Sequence, residues 1–300
     1  MKPDKIPQLA GNYVNVYRPS GAIYPGPSGT ELRHGRNYDE WVPNDHTFAI
    51  APDGIWHAFG ITHPLTTAAN IHEGEVQLFH AVAAADWLAG ELKSACFQDQ
   101  PFLLPPSARP NEVPEIHSPF IVKRNGLYHM VYGPTHFRLA VSPDLQHWTL
   151  RGELFLDPDG GSRDPQIMKY NGSYYLSYCS GNEVRMRVSD DLIHWGSVYS
   201  LLTLPAGISP ESPFMLEYDQ VFYLLVCTWD GNWDQRTVTQ AYQHKTLVFA
   251  SATPYRWNQP NPLATLDAHA PEIIRHHGEY FLSSAEWPYR GINLVRLKFK

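Results

Sequence analysis

The chain has 300 residues, of which 43% are hydrophobic, 13% aromatic and only 18% charged, with 26 prolines. That is enough apolar material for a large core, and the charge is too sparse for long charged helices or disorder. A formal net charge of -7 argues against a nucleic-acid surface, and no apolar run approaches the roughly 18 residues of a membrane span.

Residues 1–11 contain no signal-type apolar segment. Cys96, Cys179 and Cys227 are an odd count without a framework spacing. The expectation is a cytoplasmic protein with reduced thiols, or a secreted one if a signal was trimmed. A strand is predicted at Tyr13 to Arg18. A unit then recurs along the chain: an apolar run, a turn pair and an aromatic-rich run. It begins as HTFAIAPD before Gly54, with Trp56 two residues later. It returns from Pro119 to Gly126 and Tyr128, from Pro165 to Gly172 and Tyr174, from Pro213 to Gln220 and Phe222, and from Pro271 to Gly278 and Tyr280. Asp53-Gly54, Asn125-Gly126 and Asn171-Gly172 are pairs that suit two-residue hairpin turns, because both central residues need positive φ.

A second element follows the hairpins. Ser142 to Trp148, Ser189 to Trp195 and Ser251 to Trp257 share one spacing, and Val82 to Trp87 is a shorter relative. Each follows an apolar run and is predicted to end a third strand. Trp148, Trp195 and Trp257 are read as packing residues. Helical patterning is confined to one turn over 83–90. Prolines 119, 165 and 213 lie 46 and 48 residues apart, a period that suits propeller blades of several short strands. The expected fold is all-β: one five-bladed propeller of four-stranded antiparallel blades over residues 1–300. First strands are expected near 46–52, 119–124, 165–170, 213–218 and 271–276, and the strand at 292–300 is expected to complete the last blade with 13–18.

In such a ring the residues just before each first strand converge on one mouth. They are Asn44-Asp45, His117-Ser118, Arg163-Asp164, Glu211-Ser212 and His269-Ala270. A repeat that served only as scaffold would place similar residues there, yet these differ and most are ionisable. Three carboxylates, two histidines and an arginine gathered at one funnel form a candidate reactive centre.

Asp45, the Arg163-Asp164-Pro165 triplet, the Glu211-Ser212-Pro213 triplet and the S-x-D-L-x-x-W segments together carry a family resemblance. The chain resembles the five-bladed propeller glycoside hydrolases, families 43, 32, 68, 62 and 117. The resemblance implies a glycosidase with Asp45 as base (or nucleophile in a retaining relative), Glu211 as general acid and Asp164 tuning the acid. One carboxyl protonates the leaving oxygen and another acts from the opposite side, while a third raises the acid's pKa by repulsion. Arg163 would bind a sugar hydroxyl and the carboxylates. His117, His269, Asn44, Trp41 and Trp229 are further substrate-binding candidates, with Trp233 and Trp287 as other aromatics near the mouth. His46 stands where the families have proline.

The implied substrate is a small furanoside- or xyloside-containing oligosaccharide attacked from its end, with neither nucleic acid nor membrane as partner. The absence of residues for a β-sandwich module points to the inverting family 43 type, and the Arg-Asp-Pro triplet to a retaining fructofuranosidase-like enzyme of the family 32 type. A glycoside phosphorylase, with Arg163 and then Arg185 or Arg187 as phosphate ligands, and an inactive sugar-binding propeller rank below these. No cofactor is required and no metal motif is present. By resemblance to family 43, a structural calcium on the axis near His269 is the one metal considered.

Overall fold

The hairpin turns set the architecture. In a computed structural model of the protein, which describes residues 3–19, 41–64, 75–157, 161–229, 242–257, 261–285 and 291–300, four inner hairpins close on two residues of positive φ. These are Asn125-Gly126 (50° and 80°), Asn171-Gly172 (48° and 87°), Asp219-Gln220 (54° and 63°) and His277-Gly278 (48° and 83°). The twist of that turn matches the twist of the strands it joins. Asp53-Gly54 departs from the expectation. There Ile50 pairs with Trp56, so the connection spans five residues, closed by the Ala51 N–H donating to Ile55 O at 2.8 Å. Pro52 has a fixed negative φ and no N–H, and only Gly54 of the pair takes positive φ.

Among the described residues twenty strands follow in chain order. After β1 (Pro7–Tyr17), the first blade holds β2 (Trp41–Ile50), β3 (Trp56–Pro64), β4 (Gln77–Ala83) and β5 (Gln98–Leu103). The second holds β6 (His117–Arg124), β7 (Leu127–Gly133), β8 (His136–Ser142) and β9 (Thr149–Leu156). The third holds β10 (Arg163–Tyr170), β11 (Ser173–Ser180), β12 (Glu183–Ser189) and β13 (Tyr199–Thr203). The fourth holds β14 (Ser209–Tyr218), β15 (Val221–Trp229), β16 (Tyr242–Ser251) and β17 (Ala264–Leu266). The fifth is built from β18 (Ile273–His276), β19 (Glu279–Ala285) and β20 (Ile292–Phe299), with β1 as its outer strand.

Each sheet has four antiparallel strands and its first strand innermost, the five-bladed propeller that the repeat predicts. The ring closes by pairing the two ends of the chain, from Pro7 opposite Phe299 to Tyr17 opposite Ile292, as the sequence pattern led us to expect. Residues 84–89 form turns rather than a helix; the 3-10 turn Pro106–Ala108 lies elsewhere.

Second strands are buried on both faces, as β11 shows from Tyr174 to Ser180, because each blade is sandwiched between two others. Aromatic pairs join the sheets: Tyr170 on Phe222 at 4.9 Å between the third and fourth blades, and Tyr218 stacked on Phe299 at 3.8 Å between the fourth and fifth. One polar clamp joins the third and fourth blades near the axis. Gln166 Oε1 accepts from the Met215 N–H at 3.0 Å, and its Nε2 donates to Met215 O at 3.2 Å.

The Ser-to-Trp segments are turns that lead from third strand to fourth. Ser142 Oγ accepts from Leu145 N at 2.9 Å and Asp144 Oδ1 from His147 N at 2.8 Å. Ser189 and Asp191 repeat both bonds at 2.9 and 2.8 Å. Cys179 and Cys227 are buried free thiols, and Cys96 is partly exposed. No helix among the described residues is long and apolar enough to cross a membrane.

Candidate active site

The inner strands of blades 1 to 4 are interrupted at their starts. In blade 2, His117 pairs with Gly133 and Phe120 with Val131, so two residues oppose one. The same irregularity separates Arg163 from Gln166 and Glu211 from Phe214. In blades 2 to 4 a proline sits in the interruption, where its missing N–H costs the ladder nothing. In blade 1, where His46 replaces proline, pairing resumes at His46 itself, opposite Gly60. Gly60 is required there, because a Cβ would lie 2.7 Å from Asp45 O and 2.9 Å from Asn44 O.

The bulge aims side chains at the axis. Ser118, Asp164, Ser212 and Ala270, each before a proline, take φ of 44°, 57°, 44° and 47°. This left-handed conformation is costly for non-glycine residues and is a feature of functional sites. With Asp45 they form one ring of equivalent positions, five residues from five blades: aspartate, serine, aspartate, serine and alanine. All five line a narrow cavity of about 20 Å³, together with His46, Gln166 and Glu272.

Asp45 and Asp164 are joined by serine hydroxyls. Ser118 Oγ lies 3.0 Å from Asp45 Oδ2 and 2.8 Å from Asp164 Oδ1. Ser212 Oγ donates to Asp45 Oδ1 at 2.5 Å, and its N–H donates to Asp164 Oδ2 at 3.1 Å. Burial, then repulsion from Asp164, pushes the Asp45 carboxyl up to about 7, while donation from Ser212 opposes the rise. Glu211 is 8% exposed. Its burial outweighs the nearby Arg163 charge, and Asp164 and Asp45 add to it, so the carboxyl is held well above its ordinary range.

Arg163 is anchored across the blade boundary. Its guanidinium donates to Ser209 Oγ at 2.8 Å and to Pro210 O at 2.7 Å, and its Nε lies 3.6 Å from Asp164 Oδ2. Burial opposes its charge, but Asp164, Cys179, Glu211 and Asp45 hold the group protonated. His117 Nε2 lies 3.2 Å from Glu75 Oε2. Although burial disfavours the imidazolium, Glu75 and the two aspartates raise its pKa above the ordinary value. His46 Nε2 meets Ser283 Oγ at 2.7 Å, and burial pushes its pKa down to about 3, so it is neutral.

The other expected contacts fall outside this ring. His269 is 1% exposed, with its backbone N–H on Ser284 Oγ at 2.9 Å. Trp41, a substrate-binding candidate, is 2% exposed with its ring 4.8 Å from Phe102. That is the environment of a packing residue. Asn44 is partly buried, and its Oδ1 has no hydrogen-bond partner among the described residues. Trp229 ends β15 opposite Ser209, but its side chain lies outside the described residues, as do Trp233 and Trp287. Among the described residues no three His, Cys, Asp or Glu side chains are arranged to hold a metal ion. Arg185 and Arg187 both engage Asp157, at 3.3 and 2.6 Å.

Sequence reasoning missed Ser118 and Ser212 as linkers, and Glu75 and Glu272 entirely. Glu272 also lines the cavity, and burial and Asp45 raise its pKa well above the usual carboxyl range. The signal for the serines was available: they occupy the positions of Asp45 and Asp164 in their own repeats.

No protein-family model matches the sequence, and no curated protein matches it. Solved structures do. An exo-1,5-α-L-arabinanase from a bovine ruminal metagenomic library is 14% identical with a TM-score of 0.61, covering 86% of this chain and 93% of that one. A GH43 endo-arabinanase from Bacillus licheniformis is 15% identical with a TM-score of 0.60, covering 89% and 96%. RS223 β-xylosidase is 13% identical with a TM-score of 0.59, covering 89% and 95%. At these identities the likeness carries the fold.

Proposed function

We propose that the protein is a glycoside hydrolase working at the axial ring. The observation that supports this reading is the bridging of Asp45 and Asp164 by Ser118 and Ser212, with Glu211 buried close enough to feel both charges and its pKa raised by burial. Glu211 is assigned as the general acid that protonates the leaving oxygen. Asp45 is assigned as the base that activates water on the opposite face. Asp164 adds like charge beside the acid and orients Asp45 through Ser118. A buried acid beside carboxylates is the arrangement glycosidases use to run acid and base chemistry together near neutrality.

The fold shared with two arabinanases and a xylosidase supports a furanoside or xyloside as substrate. The short oligosaccharide is taken from its end, as the sequence reading suggests. An inverting, family 43-like course is preferred over the retaining alternative. A phosphorylase is less well supported, because Arg185 and Arg187 are committed to Asp157.

The test is hydrolysis of a panel of aryl α-L-arabinofuranosides, β-xylosides and β-fructofuranosides, with the first-formed anomer read by proton NMR. Turnover of a pentoside with inversion is expected. Retention would move the assignment to a covalent mechanism with Asp45 as nucleophile, and no turnover of any member would refute the reading.

A further inference from the structure

The four short contacts around Asp45 and Asp164 do not balance as ordinary donors and acceptors. The available donors are the Ser118 hydroxyl, the Ser212 hydroxyl and the Ser212 N–H. The contacts are four: 3.0 and 2.8 Å at Ser118 Oγ, 2.5 Å at Ser212 Oγ and 3.1 Å at Ser212 N. A hydroxyl has one proton to give. Ser212 has a separate donor for each of its contacts. Ser118 has one donor and two carboxyl oxygens, and a proton on one of the two aspartates, donated to Ser118 Oγ, gives each contact a hydrogen of its own.

We propose that Ser118 is a proton bridge: Asp45, Ser118 and Asp164 hold one proton between the two carboxyls, and the serine passes it from one to the other. In one arrangement Asp45 Oδ2–H donates to Ser118 Oγ and the Ser118 hydroxyl donates to Asp164 Oδ1. Transfer of the Asp45 proton to Ser118 Oγ, with transfer of the serine proton to Asp164 Oδ1, gives the other. Two O–H bonds break, two form, and no charge leaves the site. The shift converts Asp45 from an acid into a carboxylate able to take a proton from water. The reading deepens the proposed function and rests on it for that last step, but the proton count does not depend on it.

Other groups facing the pair are Arg163 from blade 3, His117 paired with Glu75, Glu211 from blade 4 and Glu272 from blade 5. None of them is altered by replacing a ring serine. Ser212 therefore serves as an internal control. It only donates, so removing its hydroxyl takes a bond from the Asp45 carboxylate and raises the pair's apparent pKa. Ser118 donates to the dianion once, but in the singly protonated pair it both donates and accepts. Removing it costs the protonated state one bond more, and the apparent pKa falls.

The experiment is a titration of the full chain labelled with ¹³Cγ-aspartate, read by carboxyl carbon NMR and assigned with Asp45→Asn and Asp164→Asn. Ala270 already holds an alanine at the same backbone geometry (φ 47°), so Ser118→Ala is accommodated; Ser118→Gly, unstrained at positive φ, is the second variant. The result expected is a midpoint about 0.5–1 pH unit lower than wild type in either Ser118 variant and higher by a similar amount in Ser212→Ala. A midpoint that rises or stays put in the Ser118 variants would overturn the bridge. The titration uses no substrate, so failure of the glycoside panel and failure of the proton count are separate outcomes.

Discussion

Replacing Asp45 with asparagine should stabilise the protein, and only at the alkaline end. An unfolded aspartate titrates near 3.8, whereas burial and Asp164 push Asp45 up to about 7. Below pH ~4 both states hold the proton, and the group costs nothing. Between pH ~4 and ~7 the folded chain keeps a proton the unfolded chain has lost, so stability falls as pH rises. The full difference is roughly three pH units, worth about 4 kcal/mol at 1.36 kcal/mol each. Asparagine is isosteric and uncharged, and its amide can donate to Ser118 Oγ while its carbonyl accepts from Ser212. Allowing about 1 kcal/mol for each imperfectly replaced bond leaves a gain of ~2–4 kcal/mol. With an unfolding entropy of ~2.1 cal/mol/K per residue, that is a Tm rise of ~3–6 °C. Scanning calorimetry of wild type and Asp45→Asn at about pH 4 and about pH 8 reads it directly. An offset equal at both values, or a lower Tm for the variant at the alkaline end, would refute the reasoning.

Gln166→Leu removes the clamp on Met215 and orphans a buried N–H and carbonyl; a loss of ~2–4 kcal/mol is expected in denaturant titration. Gln220→Gly relieves a non-glycine residue at φ 63° in a turn where three other blades have glycine, and should gain ~0.5–1 kcal/mol by the same measurement. His57 Nδ1 and His80 Nε2 share a buried 2.8 Å hydrogen bond. Burial lowers both pKa values, that of His80 to about 3. Their contribution is present above pH ~6.5 and lost as pH falls towards 3. The double substitution His57→Phe with His80→Phe should therefore flatten the acid limb of the melting curve relative to wild type.

The blades were legible because each repeats a turn that only a few residue pairs allow. Asn125-Gly126 and Asn171-Gly172 are such pairs, and Asp219-Gln220 was found by its place in the repeat alone. Asp53-Gly54 misled because Pro52 lengthens the connection to five residues, and Asp53 Oδ1 instead accepts the Ile55 N–H at 3.0 Å. The placement of Asp45 and Asp164 on the axial cavity followed from their offsets to the blade starts. Glu272 and Glu75 were not legible, because a buried glutamate without a motif looks like a solvated one until the fold closes around it. Trp41 shows the converse: position near the mouth does not reveal which way an indole faces. Ser118 and Ser212 lie between these cases, placed by the repeat but given a role only by distances between blades.

The general-acid assignment of Glu211 is the centre of the account, and leaving-group dependence tests it most directly. A good leaving group departs without protonation, whereas a sugar alcohol needs the acid. Rates of wild type and Glu211→Gln should be compared on a dinitrophenyl glycoside and on an oligosaccharide of the same sugar. The account predicts a loss of ~10²–10⁴-fold on the oligosaccharide and a far smaller one on the dinitrophenyl substrate. An oligosaccharide rate close to wild type would contradict it.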